Sequence, residues 1–231
     1  MQHSYRALSF DGDGTLWDFD SAMRQALEDA THLLRSAGAF QPDGPVTADW
    51  LREVRDHVAG LEEYRGKTME SIRLASFQRA VAQCQISDAG LAQELHETYM
   101  EARWKRLQTY RDVPDALVAL SSRYRLALVT NGNTHPYRVD LDGVFDAVIV
   151  SAECGLYKPD PKIYLHALLQ MELKPADVLH IGDDPVEDVD AAQRAGIDAA
   201  WVNRQNARWP YSASPRLTVS DLGELTTLLL G

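Results

Sequence analysis

Residues 10–18 read FDGDGTLWD, with Asp11 and Asp13 two positions apart in a glycine-bracketed turn directly after the apolar run YRALSF. A turn needs Gly or Asp for its backbone angles, but it does not need both acids at this spacing. One carboxylate facing a metal-clamped phosphoryl group is suited to act as a nucleophile. A second, two residues on, is suited to protonate the leaving oxygen and then activate water. Three further polar stretches follow apolar runs: Thr130-Asn131-Gly132, Lys158-Pro159-Asp160-Pro161 and Gly182-Asp183-Asp184. In open α/β sheets ligands bind at the carboxyl ends of the strands, so parallel neighbouring runs would bring these groups to one edge. Carboxylates about 4 Å apart repel by about 4 kcal/mol at an effective dielectric near 20, so Asp11 and Asp183 need a cation between them. The ligands on offer are oxygens, with no histidine or cysteine at ligand spacing. That chemistry favours a hard ion, and Mg²⁺ suits a site that also binds phosphate.

Plainer readings stand beside these. DGDGT opens like an EF-hand loop, but the sixth position is Leu16 and the twelfth is Ala22, where that loop needs Gly and Glu. A hairpin turn would need a matching strand, and none follows. Thr130 also suits a strand end, and Lys158 a solvated surface. The acidic run 183–190 also suits a helix N-terminus; this covers Asp184, Glu187 and Asp190 well, and Asp183, which ends an apolar strand, poorly. His180, inside VLHIGD, reads as a hydrogen-bonded core residue; His135, after TNGNT, reads as an ordinary histidine first and a crevice residue only as the alternative.

The elements that must position these groups are legible as apolar runs at 5–10, 125–130, 146–151, 177–183 and 199–203. Helical patterns separate the later runs, at 134–141, 161–171 and 185–195, and DLGELTTLLL closes the chain as a helix. Strands alternating with helices predict a parallel sheet wound by right-handed crossovers. Between 18 and 110 the period changes. Met23, Leu27, Ala30, Leu34 and Ala37 keep helical spacing, as do Leu74, Phe77, Val81 and Cys84, then Leu91 and Leu95. This predicts a helical bundle inserted after the first strand, with 41–45 as an internal loop.

At 231 residues and 45% hydrophobic content, the chain suits one domain with a sizeable insertion. Its apolar stretches fall short of the roughly 20 residues needed to span a bilayer, and MQHSYRALSF lacks a secretion plan. A cytoplasmic location is expected. Two cysteines, Cys84 and Cys154, are too few for a disulfide framework. The net charge of −11 disfavours nucleic acid and anionic membranes as partners, and leaves a small anionic substrate dependent on a bound cation.

FDGDGT, VTNGN, YKPDPKIY and IGDDPVEDVDAA, in this order, resemble the four motifs of the haloacid dehalogenase superfamily of phosphohydrolases. The resemblance implies an α/β fold with a Rossmann-like parallel sheet core at 1–17 and 111–231 and an inserted α-helical cap at 18–110. It implies Asp11 as nucleophile and Asp13 as general acid/base, with the Asp13 main-chain carbonyl on Mg²⁺. Thr130 and Asn131 would bind the phosphoryl oxygens, and Lys158 would offset charge on Asp11 and the phosphate. Asp183 would ligate the metal, and Asp188 would complete or orient its shell. Asp184 departs from the pattern, because many members carry a small hydroxyl residue there.

The implied activity is Mg²⁺-dependent hydrolysis of a small phosphorylated metabolite, such as a nucleotide, flavin-type or sugar phosphate, through an aspartyl-phosphate. Arg65, Lys67 and Arg73 are candidate substrate contacts from the cap. A phosphomutase would keep every motif. A 2-haloacid dehalogenase needs the nucleophile but not Asp13, since carbon–halogen cleavage leaves no oxyanion to protonate. A non-catalytic binding protein would have no use for Asp11, Asp13, Lys158 and Asp183 together.

Overall fold

The computed structural model describes residues 5–40, 44–211 and 214–231; the loop expected at 41–45 lies mostly outside them. The chain forms two compact units, Met1–Phe19 with Gln108–Gly231, and Asp20–Leu107. Strand β1 (Ala7–Phe10) is buried throughout, and the chain then enters the helices α1 (Phe19–Ser36), α2 (Ala48–Ala59), α3 (Met69–Gln83) and α4 (Leu91–Arg106). Thr47 and Thr68 cap α2 and α3 by accepting from Trp50 N and Ser71 N, at 3.1 and 3.3 Å, which satisfies amides that no helical carbonyl reaches. The inward stripe of this unit is Met23, Ala26, Leu27, Ala30 and Leu34 on α1, with Phe77, Ala80 and Val81 on α3 and Leu95 and Tyr99 on α4. Met23, Leu27, Ala30, Leu34, Phe77, Val81 and Leu95 belong to the series whose spacing had predicted helices, whereas Ala37, also in that series, lies exposed past the end of α1 and Leu74 is only half-buried. Helix α2 adds Leu51, Val54 and Val58.

The chain returns through α5 (Val113–Ser121) to β2 (Arg125–Thr130), β3 (Ala147–Val150), α6 (Ser151–Cys154), α7 (Lys162–Met171), β4 (Val178–Gly182), α8 (Ala191–Arg194), β5 (Asp198–Val202), β6 (Leu217–Val219) and α9 (Leu222–Leu230). The strands form one six-stranded sheet in the order β3-β2-β1-β4-β5-β6, with every neighbouring pair parallel. This is the expected α/β architecture with a helical insertion. The central strands are buried on both faces, which is why each reads as a continuous apolar run. One face is packed by Ile163, Tyr164 and Leu168 of α7 and by Ala191 and Ala192 of α8, against Ala127, Val129 and Ala199.

Two local expectations change. The helix expected over 134–141 is a single 3₁₀ turn, Pro136–Val139, ended by Asp140 in a left-handed conformation at φ 58°. The helix expected from 185 begins as a wide π turn, Pro185–Asp190, and becomes α-helical only at Ala191. Among the described residues no helix is long and apolar enough to cross a membrane.

Candidate active site

Strand register places the first acid. Phe10 is paired with Leu128 on one side and Ile181 on the other, so Asp11, the next residue, leaves the sheet between the ends of β2 and β4. Its amide donates to Ile181 O at 2.8 Å, which extends the ladder by one rung. The Lys158 ammonium donates to Asp11 Oδ1 at 2.5 Å and to Asp188 Oδ1 at 2.6 Å, all three groups being buried. Asp183 sits beside them with its Oδ1 accepting from Thr15 Oγ1 at 2.9 Å. Asp11, Asp183 and Asp188 each offer a carboxylate oxygen within 4.8 Å of the others. Together with Asp13, Thr130, Asn131 and Lys158 they line one pocket. All seven residues singled out in the sequence therefore come to one place.

The surroundings show what holds them. Gly182 admits the Asp188 side chain: a Cβ there would lie 2.2 Å from Asp188 Cγ. Gly14, at φ 87°, gives Asp183 room in the same way, since a Cβ would lie 2.4 Å from Asp183 Oδ2. Asp188 is further fixed by the amide of Asp184, which donates to its Oδ2 at 2.9 Å, and by His180 Nε2 at 3.3 Å. His180 is fully buried, with Nδ1 2.9 Å from Ser9 Oγ and Nε2 3.2 Å from Tyr164 Oη. It is the hydrogen-bonded core residue expected, and it also supports the site. The Trp17 indole is buried and donates to Asp13 Oδ1 at 2.5 Å.

Asn131 is built into the wall. Its Nδ2 donates to Lys158 O and Glu187 Oε2 at 2.9 and 2.8 Å, and its Oδ1 accepts from Lys158 N and Ser151 Oγ at 2.8 and 2.9 Å. Thr130 Oγ1 accepts from Gly132 N at 3.0 Å and keeps its own proton to donate. Asp184 is exposed and caps the π turn, accepting from Val186 N and Glu187 N at 2.7 Å each, as its place at a helix start suggested. Glu187 lines the pocket, a role hidden inside an acidic run that also suits a helix N-terminus. His135 lies elsewhere, paired with Glu153 Oε1 at 2.8 Å beside a separate cleft with Tyr137 and Phe145. Thr15, Ser151 and Tyr164 carried no signal beyond ordinary core chemistry.

Six acids and one lysine line the pocket among the described residues, an imbalance that shows in the titration of its members. Burial, reinforced by Asp188, Asp183 and Asp13, drives the Asp11 carboxyl well above its usual range against the pull of Lys158. Burial and then Asp188 push Asp183 up to about 7. Burial opposes the ionised Asp188 as well, but Lys158 and His180 overcome it and hold that carboxyl well below the ordinary carboxylate range. Lys158 likewise stays charged: burial works against it, and Asp11 and Asp188 raise its pKa well above that of a free lysine. One ammonium thus neutralises Asp188 and leaves Asp11 and Asp183 short of positive charge. A hard divalent cation fits that deficit and the all-oxygen donor set.

Residues 5–196 match the description of a haloacid dehalogenase-like hydrolase. The chain belongs to that family. Within it, the chain is 27% identical to the 5-amino-6-(5-phospho-D-ribitylamino)uracil phosphatase YigB of Escherichia coli, over 96% of this chain and 95% of that protein. It is 27% identical to N-acylneuraminate-9-phosphatase of Rattus norvegicus, over 97% of this chain and 93% of that one. The crystal structure of 2-haloacid dehalogenase from Pseudomonas syringae pv. Tomato DC3000 superposes at a TM-score of 0.80 with 27% identity, covering 98% of both chains. Family membership makes the chain a hydrolase, and these relatives divide between phosphate esters and haloacids.

Proposed function

We propose that this hydrolase is a phosphomonoesterase acting on a small phosphorylated metabolite, with residues 1–17 and 111–231 as catalytic core and 18–110 as cap. The observation that carries the reading is Asp13, a second carboxylate in the pocket of Asp11, held by the Trp17 indole at 2.5 Å. In this reading Asp11 attacks phosphorus, the ester P–O bond breaks, and Asp13 gives its proton to the departing oxygen. Asp13 then takes a proton from the water that hydrolyses the aspartyl-phosphate, releasing inorganic phosphate and restoring Asp11. The Thr130 hydroxyl and Lys158 bind phosphoryl oxygens, and Asn131 contributes its main-chain N–H, because its side chain is engaged with Lys158, Glu187 and Ser151.

Asp11, Asp183, Asp188 and the Asp13 carbonyl would hold Mg²⁺, which when bound offsets the charge of the phosphate and of the carboxylates. The names of the Escherichia coli and rat relatives support a phosphate ester as substrate. The likeness to the Pseudomonas dehalogenase supports a 2-haloacid instead, a reading that leaves Asp13 without a proton to deliver.

The deciding assay offers a panel of phosphorylated metabolites and 2-haloacids to wild type and Asp11→Asn, with Mg²⁺ and with EDTA. Phosphate release that needs Mg²⁺ and drops on the order of 10³-fold in Asp11→Asn is expected. Chloride release without phosphate release would replace this reading with dehalogenation. An isomeric phosphate ester without free phosphate would replace it with mutase chemistry.

A further inference from the structure

Asp183 is held at two points, and both supports lead to the end of β5. Trp201 Nε1, on β5, donates to the Asp183 main-chain oxygen at 2.8 Å, while Thr15 Oγ1 donates to Asp183 Oδ1 at 2.9 Å. Thr15 is fully buried in the turn after β1. A threonine is stiff about χ1, so the direction of its hydroxyl follows the placement of its backbone. That backbone is tied from outside the turn by Arg204, two residues past β5: its Nη2 donates to Thr15 O at 2.9 Å, across 189 positions of sequence. Arg204 does not line the pocket, and it lies beyond residues 5–196, the segment that matches the family.

Arg204 is itself locked in place. Its Nη1 and Nη2 reach Asp112 Oδ1 and Oδ2 at 3.0 Å each, and its guanidinium carbon lies 3.9 Å from the Tyr110 ring centroid. Asp112 Oδ2 also accepts from Leu222 N at 2.8 Å. Burial opposes the ionised Asp112, but Arg204 and the Leu222 amide hold its carboxyl below the ordinary range, so the pair stays charged. A planar fork that grips a carboxylate with two nitrogens and still has an N–H for a carbonyl is available to arginine and not to lysine. We propose that Arg204 is a positioning residue for the cation site: by anchoring the Thr15 carbonyl it aims the Thr15 hydroxyl, and so fixes the orientation in which the Asp183 carboxylate meets Asp11 and Asp188. The assignment rests on Asp183 being a cation ligand, as proposed above.

The test is calorimetric titration of the full chain with Mg²⁺ at pH 8, beside the Tm of each metal-free variant, with Asp183→Asn as reference. Partners behind a metal ligand typically contribute ten- to a hundredfold in affinity, so Arg204→Met should bind Mg²⁺ about tenfold more weakly or worse. Thr15→Val, which keeps the shape and removes the hydroxyl, should lose a similar factor. The double variant should bind no more weakly than Thr15→Val alone, because the two residues act in series. Arg204→Lys should fall between Arg204→Met and wild type. Should Arg204→Met fold poorly, Arg204→Lys carries the test, with a smaller loss that likewise vanishes in the Thr15→Val background.

A residue that only fastened Asp112 and Tyr110 to β5 would lower Tm and leave Mg²⁺ affinity at its wild-type value; that result overturns the assignment. Losses that add in the double variant overturn it as well, since Arg204 would then not act through Thr15. A wild-type protein that binds no Mg²⁺, or an Asp183→Asn variant that binds it as tightly as wild type, overturns the cation site and this assignment with it. Undiminished binding by the Arg204 variants, in a protein whose Asp183→Asn has lost the ion, overturns this assignment alone.

Discussion

Lys158 divides its charge between two carboxylates with opposite fates, and that asymmetry gives the residue-scale predictions. Asp188 is held ionised, so it relies on Lys158 and Lys158 on it. Asp11 is driven by burial toward its neutral form, which asparagine imitates. Asp188→Asn should therefore cost about 3–5 kcal/mol, the range for breaking a buried ion pair. Asp11→Asn should leave stability within about 1 kcal/mol while removing catalysis. Urea unfolding of both variants checks this, and equal losses would show that Lys158 does not discriminate between them.

Asp183 supplies the pH dependence. Its folded pKa of about 7 stands above the ordinary carboxylate value of 3.8, so its stabilising contribution is complete below pH 3.8 and is lost as pH rises through 7. A cation binds the ionised form, so it restores stability where the metal-free protein has lost it. The rise in Tm produced by Mg²⁺ over EDTA should be larger at pH 8 than at pH 5.5, and Asp183→Asn should flatten the difference. A rise independent of pH would remove Asp183 from the cation site.

At the scale of elements, the end of β4 carries the tightest constraint. The backbone at Gly182 lies so close to Asp188 that a methyl group and the carboxyl cannot share the space, and Asp188 reaches it because the π turn 185–190 swings its side chain back over the strand. Gly182→Ala should displace Asp188 from Lys158, lower stability by about 2 kcal/mol or more and take the hydrolase activity with it. Parallel measurement of Tm and turnover checks this, and an active, wild-type-stable variant would refute it. The sequence had shown β4 plainly, because a strand buried on both faces leaves an unbroken apolar run. It had not shown β6, three residues at the sheet edge with only Val219 buried, which is too short to display a period. The expected helix over 134–141 failed because the turn begun at Pro136 is ended after four residues by Asp140 in a left-handed conformation. Glu187 was read as helix-end charge because one acidic run serves both purposes: Asp184 caps, whereas Asp188 and Glu187 face the pocket.

For the molecule as a whole, the chain leaves and re-enters the sheet-bearing unit at adjoining points. Asp18 N donates to Gln108 O at 3.1 Å and Trp17 bridges to Thr109, so the two chain segments that flank residues 20–107 are paired with each other. Because each unit has its own buried core, replacing 20–107 by a short Gly-Ser linker should leave a core unit that melts cooperatively. Circular dichroism of that variant checks the claim, and a non-cooperative melt would show that the sheet depends on the helices. By itself the sequence determined the sheet, the helical insertion and the identity of the acids, because buried strands, helical periods and strand-end polar groups are each written in a few consecutive residues. Only the tertiary structure decided that Lys158 spans Asp11 and Asp188 and that Asn131 is a wall. Those outcomes depend on which distant side chains meet, and on how much water each loses, and neither quantity is carried by any local stretch of chain.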